Sequence, residues 1–280
     1  MWSVNPPTFT VSETATLCAG SIGDKSLAER VLAARDNLSG NSDRLRKAIG
    51  GDATHLVDNT SFPVVDELSA SEMGFLYTGQ FVPRTKPARA HYDKIILAAP
   101  HGLCCYCQYG YADTIDHVIP KVHVPALAID PWNLVPCCGP CNHTLGETHS
   151  DQPEKQLLHP YAMPALGRWL RARVIEQAPI VLQFTAEPAA ELTEILQQRI
   201  HNEFAALHLA DKYSVVSAQQ ITTTNRTLSR QWRSEDHETV RAYLHELACD
   251  AAGPDVNDRR AVVYQALADS EWYCQEGFLT

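Results

Sequence analysis

The residues most able to do chemistry lie between positions 98 and 147, where six of the chain's nine cysteines gather in two clusters. Cys104, Cys105 and Cys107 form the first, and Cys137, Cys138 and Cys141 the second. Within them Cys104 with Cys107 and Cys138 with Cys141 each have the Cys-x-x-Cys spacing. Such a turn places two thiolates on one side of a tight knuckle, and two knuckles can close a tetrahedral shell around Zn²⁺. Four thiolates leave no open position, so this zinc would be structural and would supply folding energy to a short segment. A lone Cys-Gly-Pro-Cys would also suit a redox dithiol. Two pairs flanking Asp116-His117 favour zinc, with Cys105 and Cys137 as small packed side chains.

Asp116-His117 and Asn133 lie between the knuckles, and Asn142-His143 follows the second. An imidazole can take a proton from water at neutral pH. A carboxylate and an amide oxygen are suitable donors for a hard divalent cation. The segment CCYCQYGYADTIDHVIPK, followed by PWNLVPCCGPCN, resembles the HNH endonuclease family. The resemblance rests on four pieces in order: Cys-x-x-Cys, a strand ending in Asp-His-x-x-Pro, an Asn-Leu-Val strand, and Cys-x-x-Cys-Asn opening a helix. It implies an α+β fold: a ββα-metal module with a four-Cys zinc staple, embedded between mostly α-helical flanks. It further implies that His117 is the general base and that Asn133 orients the His117 loop or ring. Asp116 and Asn142 would hold a catalytic Mg²⁺ or Mn²⁺, with His143 an alternative ligand. Lys121 and Arg89 are the expected nucleic-acid contacts, and His123 and His149 are further candidates nearby. One departure stands out. Many members carry a lysine three residues after the post-knuckle asparagine, and here that position is Leu145.

Stretches around the motif, including YDKIILAAPHGLCCYC and LLHPY, are similar to stand-alone HNH proteins of bacterial defence loci such as Septu-type systems. That likeness implies a DNA endonuclease of antiphage defence working beside an ATPase or other sensor protein. A catalytically weak zinc-knuckle module that binds nucleic acid or protein, and an HNH nuclease acting on RNA, remain open alternatives, as does an oligomeric state.

Several elements must position these residues. Ser26 with Glu29 and Ser69 with Glu72 each fit a capping box and predict helix starts. Residues 1–25 look irregular, with Pro6, Pro7, Gly20 and Gly23. The stretch GQFVPRTKPAR reads as an extended linker, followed by a short helix over 90–99. DTIDHVIP and NLVP have the bias of strands, and a short helix is expected beyond Cys141. Further along, GRWLRARVIEQ suggests a helix and APIVLQFTA a strand. An amphipathic helix is predicted over 188–209, and others over 234–250 and 257–270. The expected organisation is a helical region over 1–90, the nuclease module over 91–150 and a helical region over 151–280.

Bulk properties narrow the classes. Charged residues make up 20% and hydrophobic residues 45%, the balance of a folded globular chain. No apolar run is long enough to span a membrane, and the first residues lack the pattern of a secretory signal, so a cytoplasmic location is expected. The net charge of −10 runs against strong unaided binding to nucleic acid. Local groups such as Arg168, Arg171 and Arg173, or Arg226, Arg230 and Arg233, can still make basic patches.

Overall fold

The computed structural model describes residues 2–64, 68–233, 236–253 and 255–280, which form two compact units, Met1–Met163 and Pro164–Thr280. The class is α+β: many helices with two separate two-stranded antiparallel sheets.

The first unit opens with α1 (Val11–Ala19), α2 (Lys25–Ala33) and α3 (Arg35–Gly50). The N-terminal stretch, expected to be irregular throughout, is so over 2–10 and 20–24, with α1 between them. Thr10 and Glu13 form a reciprocal capping box that starts α1. Helix α2 begins one residue before the expected start, because Asp24 accepts from the backbone N–H groups of Ser26 and Leu27 and so replaces Ser26 as the cap. The Ser69–Glu72 box is formed as expected and opens α4 (Ala70–Phe75). The supposed extended linker is instead a π-helical segment over Leu76–Phe81 and a series of turns leading into α5 (Arg89–Leu97). Pro83 and Pro87 sit in those turns, where a fixed φ and a missing N–H cost little.

Strand β1 (Thr114–His117) pairs with β2 (Leu134–Cys137), with Asp116 opposite Val135 and His117 opposite Leu134. Helix α6 (Gly139–Leu145) then starts inside the second knuckle. This short hairpin has no core of its own. Ile115, Ala128, Ile129 and Leu134 join a buried apolar cluster with Val31, Leu38, Met73, Phe81 and Ile95 from the helices. A second cluster packs Leu45 and Ile49 of α3 against Ile119, Val124 and Leu127. The helices thus bury the surfaces that hold the hairpin and its long connection in place.

In the second unit, β3 (Leu170–Ile175) pairs with β4 (Val181–Ala186). The segment expected to be helical at 168–177 is a strand, with Leu170 buried and Arg171 and Arg173 exposed in alternation. Asn257 fixes its entry by accepting from the N–H groups of Trp169 and Leu170 and donating to Gly167 O at 2.8 Å. Helix α7 (Glu194–Ala206) is shorter than predicted at both ends, with Thr193 as its cap. A long α8 (Leu209–Gln231), unforeseen in the sequence, is followed by α9 (His237–Ala252), α10 (Arg259–Asp269) and α11 (Glu271–Gln275). The helix expected over 234–250 begins on two residues outside those described. Among the described residues, no helix is long and apolar enough to cross a membrane.

Candidate zinc staple and cation cleft

Cys104, Cys107, Cys138 and Cys141 are all buried, and their sulfur atoms lie within 4.8 Å of one another. A tetrahedral zinc with Zn–S bonds of about 2.3 Å requires sulfurs roughly 3.8 Å apart. Cys107 Sγ and Cys138 Sγ are separated by 3.8 Å. The donor set therefore fits a structural zinc. The N–H of Gly110 donates to Cys107 Sγ at 3.4 Å, as suits a thiolate. Gly110 has to be glycine for a steric reason: a Cβ there would lie 2.7 Å from Cys138 Cβ and 2.8 Å from its sulfur. Contact among the four sulfurs splits the thiols, drawing Cys107 and Cys138 below the ordinary thiol range and pushing Cys104 and Cys141 above it. Cys105 and Cys137 stand outside the cluster as buried thiols, and desolvation pushes Cys137 well above the ordinary thiol range.

A cleft of about 350 Å³ opens beside the hairpin, and Asp116, His117, Lys121, Asn142 and Glu147 all line it. Strand and helix converge there, since β1 supplies the first two and α6 supplies Asn142. On α6 the buried positions are Cys141 and Leu145, one turn apart, which turns Asn142 toward the cleft.

His117 Nε2 lies 2.9 Å from the carbonyl oxygen of Ala128. A carbonyl can only accept, so Nε2 carries the proton and Nδ1 is the basic nitrogen of the neutral ring. Tyr77 meets the ring edge-on at a centroid distance of 4.4 Å. Burial lowers the His117 pKa to about 4, opposed by the bond to Ala128, so the ring is neutral near pH 7. Asp116 is buried and accepts a 2.7 Å hydrogen bond from Tyr106 Oη on Oδ2. Burial pushes its carboxyl up to about 6, against the hydrogen bond from Tyr106.

Asn142 Nδ2 donates weakly to Thr114 Oγ1 and to Ile115 O, at 3.4 and 3.3 Å. Its NH₂ group thus faces the strand, and its amide oxygen is left for another donor or a cation. Asn133 is fully buried and lies away from the cleft lining. It accepts from Ile119 N–H at 2.8 Å and donates to Ile119 O and Leu127 O at 2.8 and 3.3 Å. It therefore clamps the loop that follows His117 and leads to Ala128.

Asp130 supports the same loop. Its Oδ1 accepts from Trp132 N–H and Ser42 Oγ, while Oδ2 is buried without a partner. Desolvation raises its pKa to about 7, far above the ordinary carboxylate value. The native state then holds this proton more tightly than the unfolded chain does. The associated stability is present below about pH 4 and is lost as pH rises through about 7. Asp130→Asn should raise the thermal midpoint by a few degrees at pH 8 and by much less at pH 5. Equal midpoint shifts at the two pH values would show that the carboxyl is not held neutral.

The other sequence candidates are arranged less favourably. His143 is exposed and does not line the cleft. Arg89 bonds to Asp93 and to Val82 O and lies over the Tyr92 ring at 4.1 Å. Lys121 lines the cleft, with Nζ 5.7 Å from the Tyr77 ring centre. His123 Nε2 bonds to Glu147 O and His149 Nε2 to Val57 O, and neither lines the cleft. Leu145, in the place of the familiar lysine, is buried. Two residues escaped sequence reasoning. Tyr106 was visible only as a filler between knuckle cysteines, and Glu147 follows a glycine beyond α6 with no motif to mark it.

No protein-family model and no solved structure matches the chain. It is similar to protein ea31 of Escherichia phage lambda, with 27% identity over 235 residues, covering 79% of this chain and 79% of that protein.

Proposed function

We propose that this chain is a metal-dependent HNH endonuclease that hydrolyses phosphodiester bonds in DNA, acting as an effector of bacterial antiphage defence. The observation that supports it most is the convergence of Asp116, His117, Lys121 and Asn142 on one cleft, with His117 held in the Nε2-protonated tautomer. The hairpin followed by α6, flanked by two knuckles, agrees with a ββα-metal module.

In this reading Nδ1 of His117 takes a proton from the water that attacks phosphorus, as the bond from phosphorus to the leaving oxygen breaks. Asp116 and the amide oxygen of Asn142 would hold Mg²⁺ or Mn²⁺, which suit few hard oxygen ligands. Such a cation neutralises charge on the phosphoryl and leaving oxygens when bound. Asn133 keeps the loop bearing Ala128 in place, and through it the orientation of the imidazole. Lys121 contributes a positive charge to the lining of the cleft. A net charge of −10 makes weak unaided DNA binding expected, and suits a nuclease brought to its substrate by an ATPase or other partner.

The test is incubation of the purified chain with supercoiled plasmid, linear DNA and RNA in Mg²⁺ or Mn²⁺, alone and with the product of a neighbouring gene. Metal-dependent strand breaks in DNA support the proposal, and breaks confined to RNA redirect it to a ribonuclease. Lys121→Ala should weaken DNA binding across sequences alike and reduce the slope of log affinity against log salt by about one. An unchanged slope would remove Lys121 from the phosphate contacts. The burial of Leu145 favours a second reading, a zinc-knuckle module that binds nucleic acid without cutting it. DNA bound but left intact under every metal condition would select that reading.

A further inference from the structure

Tyr106 lies inside the first knuckle, between the zinc-ligand positions Cys104 and Cys107, and is 1% exposed. Its hydroxyl donates to Asp116 Oδ2 at 2.7 Å. A phenylalanine would fill the same space without a polar atom to desolvate. A buried hydroxyl costs free energy unless it is hydrogen-bonded, so the bond to Asp116 is what makes tyrosine tolerable here. The bond also restricts the carboxylate. Asp116 and His117 are adjacent on a strand, where neighbouring side chains point to opposite faces, yet both line one cleft. Tyr106 engages Oδ2 from the knuckle side, and the backbone N–H of His117 also donates to the carboxylate, so the group is held from two directions at the wall of the cleft.

We propose that Tyr106 is a positioning residue that fixes Asp116 as a divalent-cation ligand, so that the zinc knuckle sets the geometry of the catalytic cation site. This rests on the nuclease reading above. The knuckle then has two tasks: it closes the fold, and it delivers a donor to a carboxylate nine residues beyond Cys107 in the chain. Partners of this kind orient ligating groups, and their removal commonly costs about 10–100-fold in metal affinity.

The experiment measures Mn²⁺ binding to the full-length, zinc-loaded protein without DNA, by calorimetry and by the electron paramagnetic resonance signal of free Mn²⁺. Wild type is compared with Tyr106→Phe, Asp116→Ala and the double variant, with zinc content and thermal midpoint recorded for each. The expected result is one Asp116-dependent Mn²⁺ site that is weakened about tenfold or more by Tyr106→Phe, with zinc content unchanged. In the Asp116→Ala background, Tyr106→Phe should have no further effect on Mn²⁺ binding. Tyr106→Phe binding Mn²⁺ as wild type does, at a site still lost in Asp116→Ala, overturns the role of Tyr106 and leaves the nuclease reading standing. Loss of zinc from Tyr106→Phe also overturns it, because the tyrosine would then serve the staple. Absence of any Asp116-dependent site overturns both readings.

Discussion

Replacing His117 with alanine is expected to lower DNA cleavage by about 10²–10⁴-fold while leaving the protein folded and zinc-loaded. The rate effect follows from the tautomer. Because Nε2 is committed to Ala128 O at 2.9 Å, Nδ1 is the nitrogen available to accept a proton. The folded state should survive because the ring lines the wall of the cleft rather than belonging to the apolar clusters, and its one backbone bond is worth about 1 kcal/mol. The apolar clusters that fasten β1 involve Ile115, Leu134 and the connection between the strands, and these are untouched. Single-turnover nicking, thermal denaturation and zinc analysis on the same preparation check the three parts separately. Cleavage at the wild-type rate in His117→Ala would assign the base elsewhere, and loss of zinc or of the thermal transition would mean that the substitution acts through folding. His117→Gln is a useful companion, since its amide can still donate to Ala128 O but is not a base. It should be as inactive as the alanine variant.

The candidate site was legible where its chemistry is local in sequence. Knuckle spacing is set by a turn of four residues, and Asp116-His117 are chain neighbours, so residue types alone carry that signal. The strands β1 and β2 were readable for the same reason, through their β-branched and apolar runs. What was not legible depends on contacts made at long range. Nothing in the spacing of Tyr106 and Asp116 says that a knuckle side chain turns back to a strand, and Glu147 reaches the cleft only because α6 ends at Gly146. Other misses came from competing local signals. Thr10 and Glu13 announced α1, but the prolines before them and the glycines after it suggested a loop. In GRWLRARVIEQ the arginines alternate with Leu170, Ala172 and Val174, a strand period that the helix-forming residue types masked. Asp24 was passed over for Ser26, although a side chain two or three residues before the first free N–H groups serves equally well as a cap.

The zinc staple carries the other large expected effect. Cys138→Ser, or zinc removal with a strong chelator, should unfold the segment from the first knuckle to α6. Apparent zinc-binding free energies for such sites are about 10–16 kcal/mol at neutral pH. A whole domain is stable by only about 5–15 kcal/mol, so a loss of that size cannot be absorbed. The geometry says where the failure would start. Strand β2 ends at Cys137 and α6 begins at Gly139, so Cys138 is the joint between them. Gly110 is already packed against the Cys138 sulfur, and its N–H bonds to Cys107 Sγ. Without the metal, buried sulfurs in contact must take up protons or separate, and either change pulls on both knuckles. Because Leu134, Ile115 and Ala128 belong to the cluster that includes α1, α2 and α5, loosening the hairpin should also expose part of that helical core. Limited proteolysis should therefore cut within 98–147 after chelation, and tryptophan fluorescence should report exposure of Trp132. The second unit has its own hairpin and its own helices, with Trp169 and Leu170 tied to Asn257. A protease-resistant fragment covering most of 164–280 is accordingly expected to persist. A chelated protein with the wild-type thermal midpoint and the same cleavage pattern would show that packing against the helices, rather than zinc, holds the knuckles together.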